Sequence, residues 1–169
     1  MKRLLVFLSL CSVLMVAFWC VSAAAPTNFA GTWSLDKAKS EGLQGPMAQI
    51  DVTLVVTQDA KTLTTETKYS GGPQEMPAQK STYNLDGSPT TVEMGGQRPG
   101  QATLTAKWQG DGKILELTQV RKFNNQGTEV TRTTTDHWEL ADGGKTLKVH
   151  RNSEGRNGPQ ESKLTFVKK

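Results

Sequence analysis

From Asn28 to the C-terminus, apolar and polar residues alternate in short runs that Gly, Asp, Asn or Pro keeps interrupting. A period of two puts successive side chains on opposite faces of an extended chain, so the pattern specifies strands and is incompatible with amphipathic helices. The runs predict ten strands, at 28–35, 48–57, 62–69, 79–85, 90–95, 101–108, 113–123, 128–140, 145–152 and 161–168. Only Lys37 to Gly42 has the composition of a helical turn. The expected fold is all-β: a single antiparallel up-and-down barrel of eight to ten strands, with a two-sheet sandwich as the alternative.

The connections argue for the barrel. Tight turns are expected at Asp59-Ala60, Asp86-Gly87, Gly110-Asp111 and Asp142-Gly143, where Asp and Gly supply turn geometry. Longer Gly- and Pro-containing loops are expected at 36–47, 70–78, 96–100 and 153–160, and a shorter one at Asn124–Gly127. Successive connections of a meander alternate between its two ends. Counting along the chain therefore gathers the four tight turns at one end and the other loops at the opposite end. A closed base and an open, loop-rimmed mouth would produce that segregation.

Turn positions also imply registers. A two-residue turn at Gly110-Asp111 would pair Trp108 with Lys113, Ala106 with Leu115 and Leu104 with Leu117. A turn centred on Asn125-Gln126 would pair Leu115 with Asp136 and Leu117 with Thr134. One centred on Asp142-Gly143 would pair Trp138 with Leu147 and Asp136 with Val149, and an earlier hairpin would set Val56 opposite Leu63 and Ile50 opposite Tyr69. These registers give one apolar face, with Leu104, Trp108, Leu115, Leu117, Trp138, Leu147 and Val149. The other face is polar, rich in Thr and Lys, apart from Ile114 and Val120. A lipid-facing barrel would need the reverse.

Residues 1–24 read differently from the rest. Lys2 and Arg3 precede an apolar stretch from Leu4 to Trp19 and a small-residue region at Val21-Ser22-Ala23-Ala24, the layout of a cleaved signal peptide. The expected domain is then 25–169, located in the periplasm or outside the cell. Both cysteines, Cys11 and Cys20, would leave with the signal, so cysteine nucleophiles, cysteine–zinc sites and iron–sulfur clusters are excluded from the mature chain. The net charge of +4 falls to +2 once Lys2 and Arg3 are gone. That balance gives no reason to expect nucleic acid or a membrane surface as partner. The remaining chain, about 145 residues, suits one hydrophobic core without disulfides and is expected to act as a monomer.

The first strand reads Phe29-Ala30-Gly31-Thr32-Trp33-Ser34-Leu35. Gly-x-Trp at the start of an up-and-down barrel resembles the lipocalin and wider calycin pattern, in which the Trp closes the base of a barrel that binds small, usually apolar molecules. The longer string Phe29 to Ser40 is similar to the opening of small exported bacterial proteins described as lipocalin-like. Thr135-Asp136-His137 loosely resembles the lipocalin Thr-Asp-Tyr element, with the aromatic replaced. The C-terminal helix of lipocalins and the two-helix lid of fatty-acid-binding barrels have no counterpart here. The resemblance implies the architecture more than any particular ligand.

Five arginines follow the signal, Arg98, Arg121, Arg132, Arg151 and Arg156, and all fall in the mouth-end loops or the adjoining strand halves. The registers turn Arg121, Arg132 and Arg151 inward beside Gln119 and Thr134, above Trp108 and Trp138. A planar guanidinium suits a carboxylate or phosphate. The candidate ligand site is therefore Arg121, Arg132, Arg151, Gln119, Thr134, Trp108 and Trp138, holding a small amphipathic or anionic molecule with its tail down. The bland reading makes these arginines rim charges paired with Glu129 or Asp136, and the tryptophans ordinary core. His137 and His150, expected as diagonal neighbours on the outer face, are too few for a metal site, and no metal or cofactor is expected. Asp136, expected beneath Arg132, reads as a charge partner or a catalytic group, but no nucleophile triad or phosphate loop occurs, so no enzymatic activity is expected. A different class of function is a protein-interaction or inhibitory module acting through the loops at 36–47, 70–78 and 153–160.

Overall fold

The structure, a computed structural model, describes residues 25–43, 45–72, 76–94, 99–125, 127–155 and 158–169. The proposed signal segment 1–24, Arg98 and Arg156 lie outside the described residues. Ten strands follow one another: β1 Gly31–Leu35, β2 Asp51–Gln58, β3 Thr62–Ser70, β4 Gln79–Asn84 and β5 Thr90–Met94, then β6 Gly100–Gln109, β7 Ile114–Asn125, β8 Thr128–Ala141, β9 Thr146–Gly155 and β10 Gly158–Lys168. They form one sheet in the order β4-β3-β2-β1-β10-β9-β8-β7-β6-β5, with every neighbouring pair antiparallel. The pairing of β1 with β10 wraps this meander into a barrel, and β4 and β5 are its two free edges. The sandwich alternative is thereby set aside.

Burial follows the alternation strand by strand. In β2, Val52, Leu54 and Val56 are buried while the residues between them face outward, and in β6 Ala102, Leu104 and Ala106 do the same. The predicted inner face holds: Leu104, Leu115, Leu117, Trp138, Leu147 and Val149 are all buried, and Trp108 packs against that core from a half-buried position. A 3-10 turn at Lys37–Lys39, capped by Asp36 accepting from the Ala38 and Lys39 amides, fills the anticipated helical turn. A second at Gly45–Ala48 was not anticipated.

The registers differ from expectation by two residues in each of four hairpins. Trp108 pairs with Leu115, Leu117 with Asp136, Trp138 with Val149 and Val52 with Tyr69. Each turn centres one residue later than expected. Two of them are four-residue loops, 110–113 and 142–145, because three successive residues in each take left-handed backbone: Gly110, Asp111 and Gly112 at φ 55, 55 and 82°, and Asp142, Gly143 and Gly144 at φ 53, 65 and 84°. Gly tolerates that region freely and Asp better than most. A slip of two preserves which face each side chain occupies, so the faces came out right although the partners did not. The connection expected at 153–160 is largely ladder, since β9 and β10 pair out to Gly155 and Gly158. One of the three loops invoked for an interaction module is therefore mostly sheet.

The base is sealed by the segment before β1. Thr27 donates its amide to the Gly112 carbonyl, Gln58 donates to the Thr27 carbonyl and accepts from the Phe29 amide, and Trp33 Nε1 donates to the Phe29 carbonyl at 3.0 Å. These bonds seat the Phe29 ring 6.1 Å from Trp108 and edge-on to Trp138 at 5.8 Å between centroids. Phe29 and Trp33 are fully buried.

Candidate ligand-binding site

Above this base lies a cavity of about 320 Å³, bordered by β2, β3 and β4 on one side and by β7 to β10 on the other. The inward-facing residues of β7 to β10 around it stand in cross-strand rows. The lowest joins Leu115, Trp138, Val149 and Leu164. The next joins Leu117, Asp136 and Arg151, the third Gln119, Thr134 and Ser153, and the row nearest the mouth sets Arg121 directly opposite Arg132. The lumen thus grades from apolar to ionic to neutral polar to cationic.

The Asp136 carboxylate and the Arg151 guanidinium form a two-point fork, with Nε to Oδ1 and Nη2 to Oδ2 both at 2.7 Å. The expected cross-strand partner of Asp136 on β9 was Val149; the two-residue register shift supplies Arg151 instead. Burial alone would ease the proton off Arg151, but hydrogen bonds and charge from Asp136 outweigh it and raise its pKa. Tyr83, buried on β4, faces the same pair. Burial, reinforced by the Asp136 charge, pushes its phenol up to about 12. Tyr69 is also raised by burial, opposed by the charges of Arg151 and Arg121.

Five of the seven expected site residues border the cavity: Arg121, Arg151, Gln119, Thr134 and Trp138. Trp108 does not, because Phe29 stacks on it below the cavity floor. Arg132 does not either; its guanidinium lies over the Phe123 ring, 5.6 Å from the centroid. Arg121 Nε approaches Met94 Sδ at 3.0 Å. Trp138 Nε1 is buried with no hydrogen-bond partner among the described residues. The opposite wall was missed: Tyr69, Tyr83, Thr65 and Thr67 come from β3 and β4. Strand parity carried through those two strands would have found them. On the outer face His137 and His150 are directly paired rather than diagonal, with rings 6.3 Å apart. Each is held by a carboxylate, Glu116 on His137 at 3.1 Å and Glu161 on His150 at 2.7 Å.

No known family model and no curated protein matches the chain by sequence. Solved structures do. Human cRBP IV matches over 85% of this chain and 100% of its own, with TM-score 0.52 and 17% identity. A Schistosoma mansoni fatty acid binding protein in complex with arachidonic acid matches over 83% and 96%, with TM-score 0.53 and 16% identity. Zebrafish ileal bile acid-binding protein complexed with cholic acid matches over 83% and 98%, with TM-score 0.53 and 14% identity. The chain shares its overall fold with these solved structures, here a single ten-stranded, nearly closed antiparallel barrel.

Proposed function

We propose that this chain binds a small amphipathic anion non-covalently in its lumen, as a monomer outside the cytoplasm, without transforming it. The observation that carries the reading is the Arg121–Arg132 pair. Like charges placed directly opposite on neighbouring strands are destabilising, and neither guanidinium has a carboxylate partner among the described residues. An anion entering the mouth would relieve that repulsion and meet planar donors suited to a carboxylate. The apolar lowest row would receive the tail. The retinoid-, fatty-acid- and bile-acid-binding proteins with the same architecture support a small-ligand role. The basic start and apolar run of residues 2–19 support export.

Calorimetric titration with decanoate tests the reading. Replacing Arg121 or Arg132 by Leu should each weaken binding about tenfold, equivalent to about 1.4 kcal/mol. Unchanged affinity in both variants would remove the arginines from the site. A protein that takes up no amphipathic anion at all would return attention to the loops at the mouth as an interaction surface.

A further inference from the structure

The row between the arginines and the ion pair is unlike the rest of the wall. Gln119 pairs with Thr134, and Thr134 pairs with Ser153. Strand parity turns all three into the lumen with Leu117, Asp136 and Arg151, and all three border the cavity. None makes a side-chain hydrogen bond to another described residue. Across the lumen Thr67 and Gln79, opposite each other on β3 and β4, border the same space and are likewise without side-chain partners among the described residues.

A wall matched to a plain hydrocarbon chain would continue the apolar row of Leu115, Trp138, Val149 and Leu164 up to the mouth. Here the chain of a ligand anchored at the arginines must first cross a collar of hydroxyls and amides. An alkyl segment would displace water from these groups and return nothing, and each buried polar group left unpaired costs about 1–3 kcal/mol. A ligand oxygen at that level would replace the lost water. We infer that the collar of Gln119, Thr134, Ser153 and Thr67 selects amphipathic anions that carry a carbonyl or hydroxyl oxygen in mid-chain over unsubstituted ones. This rests on the anion-binding reading above and names its ligand class more narrowly.

The rows fix where the oxygen belongs. Gln119 lies two residues below Arg121 on β7. At about 3.4 Å per residue that is roughly 7 Å, or between five and six carbon–carbon bonds of an extended chain, which puts the oxygen on about the sixth carbon counted from the carboxylate. Decanoate and 6-oxodecanoate are therefore matched probes, differing only by a carbonyl at collar height.

Calorimetric titration of the full chain with each should give the oxo acid at least tenfold higher affinity. Thr134→Val and Gln119→Leu, made separately, should each bring the ratio of the two affinities towards one. Because the readout is a ratio within one protein, a general loss of stability would not imitate it, and either variant alone suffices. Equal or weaker binding of 6-oxodecanoate by the unaltered protein overturns the collar and leaves the anion site standing. Binding of neither probe overturns both. A tenfold preference that survives both substitutions also overturns the assignment, because the oxygen would then be read elsewhere.

Discussion

Burial and the neighbouring Asp136 carboxylate hold the Tyr83 phenol up to about 12, against about 10 for a free tyrosine. Between those values the unfolded chain has lost the phenol proton while the folded chain keeps it, so raising the pH favours unfolding. The stability this group contributes is complete below pH 10 and is lost as pH climbs towards 12. Two pKa units correspond to about 2.7 kcal/mol at most. Denaturant melts from pH 8 to 12 should therefore show a decline that is shallower in Tyr83→Phe; parallel curves would mean that Tyr83 ionises freely in the folded state. Tyr83 also marks the limit of what residues alone disclose. Alternation assigns a side chain to the inside, as it did for Arg121, Gln119 and Trp138. It does not assign the neighbour, because a register slip of two keeps the face and changes the partner. Asp136 therefore met Arg151 instead of Val149, and the two histidines became a direct pair.

Among the elements, the strands were the most legible feature because each carries its own period-two pattern and its own flanking Gly or Asp. The N-terminal segment was not, since nothing in the spacing of Thr27 and Phe29 shows that they fold under the barrel. Gly-x-Trp pointed to Trp33 as the base residue, but the lid over it is built by long-range bonds from Gln58 and Gly112. That arrangement makes Trp33 a keystone of the element: it is fully buried, and its indole N–H satisfies the Phe29 carbonyl. Trp33→Ala should lower stability by about 3–5 kcal/mol, through lost packing and the cavity left behind. Trp33→Phe should cost less, retaining most of the ring while losing the bond that seats Phe29. An unaltered denaturation curve for the alanine variant would mean that the base is closed by Phe29, Trp108 and Trp138 without it.

At the scale of the whole barrel, the decisive feature is that the sheet runs from β4 round to β5 without joining them. Both edges carry unpaired backbone groups and should exchange their amides by local opening, well below the free energy of global unfolding. The cavity treats the edges differently. Gln79, Ser81 and Tyr83 of β4 border it, whereas no described residue of β5 or β6 does. A ligand lying between Thr67 and Gln79 on one wall and Gln119 and Thr134 on the other would tie β3 and β4 to the body of the barrel and leave β5 as loose as before. At a free concentration one hundred times Kd, binding adds about 2.7 kcal/mol to global stability. For a domain of this length that should raise Tm by about 5–10 °C. Hydrogen exchange with and without saturating ligand then separates two effects. Slowing concentrated in Leu63–Tyr69 and Gln79–Tyr83, with Thr90–Met94 unchanged, is the expected pattern for a ligand that spans the lumen. Equal slowing at both edges would mean that binding acts through global stability alone, and a Tm shift without any slowing at β4 would place the ligand outside the cavity.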